Sequence, residues 1–202
     1  MYSKFRNKYR SDSFRLQSWN YGWDAAYFIT ICTKNREFYF GDVVEGVMEL
    51  NDIGKIVESE WMKTFEMRPD MNLTMGEFVI MPNHFHAIIG IGENEYNRND
   101  PDRGRGAMHC ASTPTQSTPT QSTPTQSTRK SISLSQNKFG PQSKNLASIV
   151  RGFKMGVTLR ARAIVPDLSW QSLFHDHIIR NPKSLERISE YIRNNPANWK
   201  GG

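Results

Sequence analysis

Met81-Pro82-Asn83-His84-Phe85-His86-Ala87-Ile88-Ile89-Gly90 sets two histidines, one residue apart, at the head of an apolar run. Side chains of a β-strand alternate between faces, so a strand here projects His84 and His86 from one side and Phe85 from the other. Two neutral imidazoles that converge in this way can hold a divalent metal. The preceding run, Leu73 to Ile80, is separated from His84 by Met81-Pro82-Asn83, a short connection with turn chemistry. The two runs therefore read as an antiparallel hairpin whose second strand begins with the histidines.

Partners for this pair lie far downstream. Lys183 to Asn194 reads as a helix closed by Pro196, with Leu185, Ile188 and Ile192 as its buried stripe. At about 100° per residue, Tyr191 and Asn195 fall together on the flank of that stripe, one turn apart. A metal held by His84, His86 and the Asn195 side-chain oxygen would act as a Lewis acid on a phosphodiester while Tyr191 attacks phosphorus. The resulting phosphotyrosine would preserve the bond energy, so that a free hydroxyl can rejoin the strand. His175 and His177, alternating about Asp176, form a rival metal pair, and spacing does not choose between the two. Each piece also has a purely structural reading: a histidine pair in a strand, a half-buried tyrosine, an asparagine at a helix end.

The remaining elements follow from period and punctuation. Tyr27 to Thr33 is β-branched and aromatic, apolar on both faces, as in a central strand. Val43 to Leu50 suggests a loop or hairpin leading into a helix over Asp52 to Met67, with Asn51 as N-cap, Ile53, Ile56, Val57 and Trp61 at helical spacing, and Pro69 as a stop. Leu146, Ile149, Val150, Phe153 and Val157 mark a second helix from Lys144 to about Ala163. Arg151, Lys154, Arg160 and Arg162 on its other face can follow a phosphate backbone or simply be solvated. Leu173 to Ile179 is a further strand.

Two stretches stand apart from this core. Residues 1–20 form a basic, aromatic arm without a regular period. Three copies of Ser-Thr-Pro-Thr-Gln fill Ser112 to Gln126, inside a polar tract at about 93–143. With little apolar surface to offset ordering entropy, that tract is expected to be a disordered insertion interrupting one domain that spans 21–202.

Composition bounds the function. The net charge is +6, with +4 in Met1 to Leu16, +6 in Lys144 to Gly202 and −4 between. Basic ends suit a polyanion such as nucleic acid, although a pI near 9.4 is also met as ordinary solvation. Only two cysteines occur, which excludes a disulfide framework or a four-cysteine zinc site. No apolar run approaches the roughly 18–20 residues of a membrane span, and no secretory signal is legible, so the expected location is cytoplasmic.

Four blocks, taken in order, resemble a known family. They are Tyr27-Phe28-Ile29-Thr30 with Thr33-Lys34-Asn35-Arg36, then Met81 to His86, then Trp170-Gln171 with Asp176-His177-Ile178-Ile179-Arg180-Asn181, then Tyr191-Ile192 with Asn195-Pro196. Together they resemble the single-tyrosine HUH transposases, in the branch of the REP-associated tyrosine transposases. The resemblance implies an α+β, ferredoxin-like antiparallel sheet with helices packed on one face. It implies His84 and His86 as ligands of Mg²⁺ or Mn²⁺, Asn195 as third ligand, and Tyr191 as nucleophile. It favours the first histidine pair and associates Trp170, Gln171, His177 and Arg180 with DNA contact. The substrate it implies is single-stranded DNA carrying hairpins, cleaved to a 5′-phosphotyrosine and a 3′-hydroxyl. Relatives include monomers and dimers that exchange the tyrosine helix, so a homodimer is one of two open states. A nucleic-acid-binding regulator that keeps the fold without catalysis is the second reading, and a zinc-stabilised structural domain the third.

Overall fold

Strand formation begins where the sequence is densest in β-branched and aromatic residues. In the computed structural model, which describes Leu16, 19–99 and 143–201 together with the backbone of Lys4–Phe5 and Lys8–Tyr9, these runs build a four-stranded antiparallel sheet. In chain order the elements are the paired β1 (Lys4–Phe5) and β2 (Lys8–Tyr9), then β3 (Ala25–Cys32), the hairpin β4 (Gly41–Val44) and β5 (Val47–Leu50), and α1 (Asp52–Glu66). There follow β6 (Leu73–Met81), β7 (His84–Ile91), α2 (Leu146–Ala161), β8 (His175–Ile179) and α3 (Pro182–Arg193). The short β1–β2 pairing lies in an arm whose sequence shows no strand period. Apart from Leu16, Trp19 and Asn20, the rest of that arm lies outside the described residues, as do the Ser-Thr-Pro-Thr-Gln copies.

The sheet order is β6-β7-β3-β8. With α1 between β3 and β6, and α2 between β7 and β8, this is the β-α-β-β-α-β arrangement of a ferredoxin-like fold. Alternation along β3 divides its side chains. Ala25, Tyr27, Ile29 and Ile31 join the main core under α1 and α2, while Ala26 and Phe28 face the other way.

The main core is aromatic at its centre. Trp61 of α1 is fully buried, with its ring centroid 5.0 Å from Phe85 and 5.4 Å from Phe153 of α2, edge-to-face in both cases. Phe85, the residue between the two histidines, thus anchors β7 to the helical layer. Asn51 caps α1 by accepting from the backbone N–H of Ile53 and Gly54, satisfying two donors that a helix start leaves free. Gly156 lets α2 approach α1, since a Cβ there would lie 2.3 Å from Glu60 Oε2.

One expectation requires correction. The third helix is not on the same face as the other two. Its stripe of Leu185, Ile188 and Ile192 packs on Ala26, Ile88, Ile179, Phe28 and Val79, on the opposite side of the sheet from α1 and α2. Periodicity shows which stripe of a helix is buried but not which sheet face receives it.

The first residues of the polar tract are among those described. Residues 95–99 are turns, and Asn94 and Asn97 are buried. Asn94 Nδ2 donates to the carbonyls of Met71 and Gly92, and Asn97 Nδ2 to those of Gly22 and Gly92.

Candidate active site

Register places the site. In the β3–β7 ladder Cys32 lies opposite His84 and Thr30 opposite His86, so both imidazoles emerge on the sheet face that α3 covers. They are 7% and 5% exposed, with ring centroids 4.6 Å apart. Each ring is oriented through Nδ1, which lies 2.8 Å from Asn83 Oδ1 in His84 and 2.8 Å from Thr30 Oγ1 in His86. Asn83 is itself fixed, its Nδ2 donating to the Arg36 carbonyl at 3.2 Å. In the tautomers where Nδ1–H donates, both Nε2 lone pairs remain for another partner.

Helix α3 and its C-terminal turn supply those partners. The Tyr191 hydroxyl stands 3.3 Å from His86 Nε2, and the Asn195 side chain hydrogen-bonds His84. Phe28 stacks on the His86 ring at 5.3 Å and meets Tyr191 edge-on at 6.1 Å, holding phenol and imidazole together. Tyr191 is nevertheless 51% exposed as a residue.

Burial, with a smaller contribution from the Arg36 charge, pushes His84 down to about 4. Burial, then the neighbouring His84, Arg36 and His175, push His86 down to about 3. Both rings are therefore neutral near pH 7, the form in which imidazole binds a metal. Two neutral nitrogen donors, an amide and a phenol thus surround one spot.

His175 and His177 lie on the same sheet face, opposite Thr30 and Phe28 on β3. Both are exposed, and Tyr191 and Asn195 contact the first pair instead. His177 and Arg180 line an open groove of about 1000 Å³ between β8 and α3, together with Tyr21, Lys183 and Arg187.

The other expected nucleic-acid contacts do not form one surface. The cations of α2 belong to the layer across the sheet from His84 and His86. Arg151 is exposed there, whereas Arg160 pairs with Glu60 at 2.7 Å and Arg162 donates to the Leu168 carbonyl at 3.4 Å. Lys154 donates to the carbonyls of Gln171 and Leu173, and burial pushes its ammonium down to about 8. Trp170 is half-buried against Phe40 and Phe153, its indole N–H bonded to Thr158. Gln171 is exposed, its backbone N–H bonded to the Cys32 carbonyl.

Sequence reasoning missed Thr30, Asn83, Phe28 and Arg36 as neighbours of the histidines. Asn83 directly precedes His84, and Thr30 is a polar residue in an apolar strand. Only the β3–β7 register reveals that Thr30 meets His86.

No family model matches the chain. An "Uncharacterized protein" of Haemophilus influenzae is 38% identical over 190 residues, which cover 93% of this chain and 89% of that protein. Among solved structures, a REP-associated tyrosine transposase bound to a REP hairpin aligns with a TM-score of 0.52 at 16% identity, over 93% of this chain and 73% of that one. No helix of the described residues is long and apolar enough to cross a membrane. The chain belongs to one family with the Haemophilus influenzae protein, and its fold is that of the REP-associated tyrosine transposase.

Proposed function

We propose that the protein is a metal-dependent single-stranded DNA endonuclease and strand transferase, with Tyr191 as nucleophile. The observation that carries this reading is Tyr191, a half-exposed residue whose hydroxyl is 3.3 Å from His86 Nε2. A buried structural tyrosine would not combine that exposure with that contact.

His84 and His86 through Nε2, and Asn195 through its side-chain oxygen, fit a divalent cation such as Mg²⁺ or Mn²⁺. Both rings are neutral and are oriented through Nδ1 by Asn83 and Thr30, as metal-binding histidines are commonly held through the nitrogen that does not face the metal. When bound, such a cation supplies Lewis-acid polarisation of a phosphodiester oxygen.

The chain's own groups carry the rest. Phe28 and the α3 backbone aim the phenol. The Tyr191 oxygen forms a bond to phosphorus as the bond from phosphorus to the 3′ oxygen breaks, and the electron pair leaves with that oxygen. The phenol proton passes to water, and the departing oxygen takes a proton from water. The products are a 5′-phosphotyrosine and a 3′-hydroxyl, and attack by such a hydroxyl reverses the step without ATP. The similar structure is bound to a REP hairpin, which supports hairpin-bearing DNA as the substrate here.

The test uses 3′-labelled hairpin oligonucleotides with randomised flanks and Mn²⁺. The expected result is a labelled band stable to detergent, absent with EDTA and in Tyr191→Phe. Binding without such a band in the unaltered protein would leave the non-catalytic regulator as the correct reading.

A further inference from the structure

The rings around the site do not end at His84. Trp199, in the segment after α3, lies 5.8 Å from the His84 ring, and Phe38 lies 5.9 Å from Trp199. Phe38, Trp199, His84, His86 and Tyr191 therefore form a continuous series from solvent to the reactive hydroxyl. Its outer members are accessible. Phe38 is 49% exposed, and Trp199 is only partly covered. An aromatic side chain gains nothing from water, and single exposed ones are common, but two in contact beside a candidate reaction centre are not a scattered surface feature.

The turn that carries Phe38 holds a second feature. Asn35 and Arg36 are consecutive non-glycine residues in the left-handed region, at φ of 55° and 60°. Such residues usually occur singly, and the conformation costs energy unless its surroundings hold it. Here they do. Thr33 Oγ1 donates to the Glu37 carbonyl at 2.8 Å and to the Asn83 carbonyl at 3.0 Å, and Asn83 Nδ2 donates to the Arg36 carbonyl. Asn83 is the residue that also orients His84. The held turn presents an exposed guanidinium with no ion pair among the described residues, and its charge is felt by both imidazoles. An exposed cation on this held turn, two residues from Phe38 and tied through its carbonyl to Asn83, can take an anion from outside the chain.

Resting on the reading of this site as acting on single-stranded DNA, the geometry points to a nucleotide subsite beside His84. In it, Phe38 and Trp199 stack on a base flanking the scissile bond and Arg36 holds a neighbouring phosphate. Stacking of this kind tolerates any base, because every base has a π-face. The subsite grips the strand next to the reaction without reading its sequence.

The test compares two probes of equal charge, a fluorescent short oligothymidine and the same backbone made abasic, by anisotropy in EDTA. Their ratio of dissociation constants isolates stacking from phosphate contacts. In the unaltered protein the oligothymidine binds about 5- to 150-fold more tightly. In Phe38→Ala and in Trp199→Ala the ratio falls at least about threefold, and Trp199→Phe keeps it. Arg36→Gln weakens both probes alike, leaves the ratio intact and reduces the logarithmic salt slope by about 0.7. An unchanged ratio in either alanine variant, or no preference for bases in the unaltered protein, or no binding of either probe, overturns the subsite. Because nothing is cleaved in EDTA, a failure here is distinct from failure to form the Tyr191 adduct.

Discussion

At the scale of single residues, the site is decided by what touches the nitrogens of two rings. Thr30 and Asn83 each hold an Nδ1, and because Asn83 Oδ1 can only accept, it selects in His84 the tautomer that leaves Nε2 available. Thr30→Val keeps shape but removes the contact to His86, and Mn²⁺ affinity measured by calorimetry should fall about 10- to 100-fold. Unchanged affinity would mean that Thr30 does not orient the ring. The same burial makes the rings sensitive to acid. Their folded values of about 4 and about 3 lie below the ordinary 6.5, so the unfolded chain takes up protons first. Stability is therefore full above pH 6.5 and declines as pH falls towards 4, by up to about 1.4 kcal/mol per pH unit for each ring. Urea midpoints in EDTA should drop between pH 7 and 5, and less steeply in His86→Phe. A flat midpoint over that range would show that the imidazoles are not held neutral by the fold. The pair itself was legible, because strand alternation fixes the side to which His84 and His86 point. Their Thr30 neighbour was not, since it depends on which strand pairs with which and in what register. The surroundings of the basic and aromatic residues expected to contact DNA were hidden for a related reason. A cation such as Arg160 looks the same in sequence whether it faces phosphate or Glu60, and Trp170 the same whether it stacks on a base or on Phe153.

At the scale of elements, the two sheet faces differ in how firmly they are covered. Helices α1 and α2 share a large core centred on Trp61, whereas α3, which carries Tyr191, is held by a small cluster around Ile188 and Ile192. Ile192→Ala should cost about 2–5 kcal/mol if α3 unfolds only with the whole molecule. A separable α3 gives a different pattern, which the size of its contact favours. Amide exchange should then quicken across 182–193 while β3 and β7 keep their protection. Uniform loss of protection would show that α3 is integral to the core. Removing the α1 cap by Asn51→Ala should cost about 1 kcal/mol in denaturant unfolding without moving α3. The starts of β7 and α1 and the end of β8 at Ile179 were readable, whereas β8 starts at His175 rather than Leu173 and α2 ends at Ala161 rather than near Ala163.

At the scale of the whole molecule, a ferredoxin-like sheet is covered on both sides, with the main core on one face and the candidate site on the other. The ends of the polar tract are drawn together on this frame. Asp70 accepts from Lys144 and from Tyr96, the Lys144 ammonium stands 4.8 Å from the Tyr96 ring, and the Leu146 N–H donates to the Tyr21 carbonyl. Replacing 100–142 by a short Gly/Ser linker should therefore leave the circular dichroism spectrum unchanged. It should stabilise the protein by about 1–2 kcal/mol, since each halving of a loop contributes about 0.6 kcal/mol. Loss of folding would show that the tract is part of the domain. The central claim, however, concerns Tyr191. Its most direct test is to treat the protein with hairpin DNA and Mn²⁺, digest protein and DNA, and locate the attached nucleotide by mass spectrometry. The account predicts the added mass on the tryptic peptide from Ile188 to Arg193, at Tyr191; a nucleotide on any other tyrosine would contradict it.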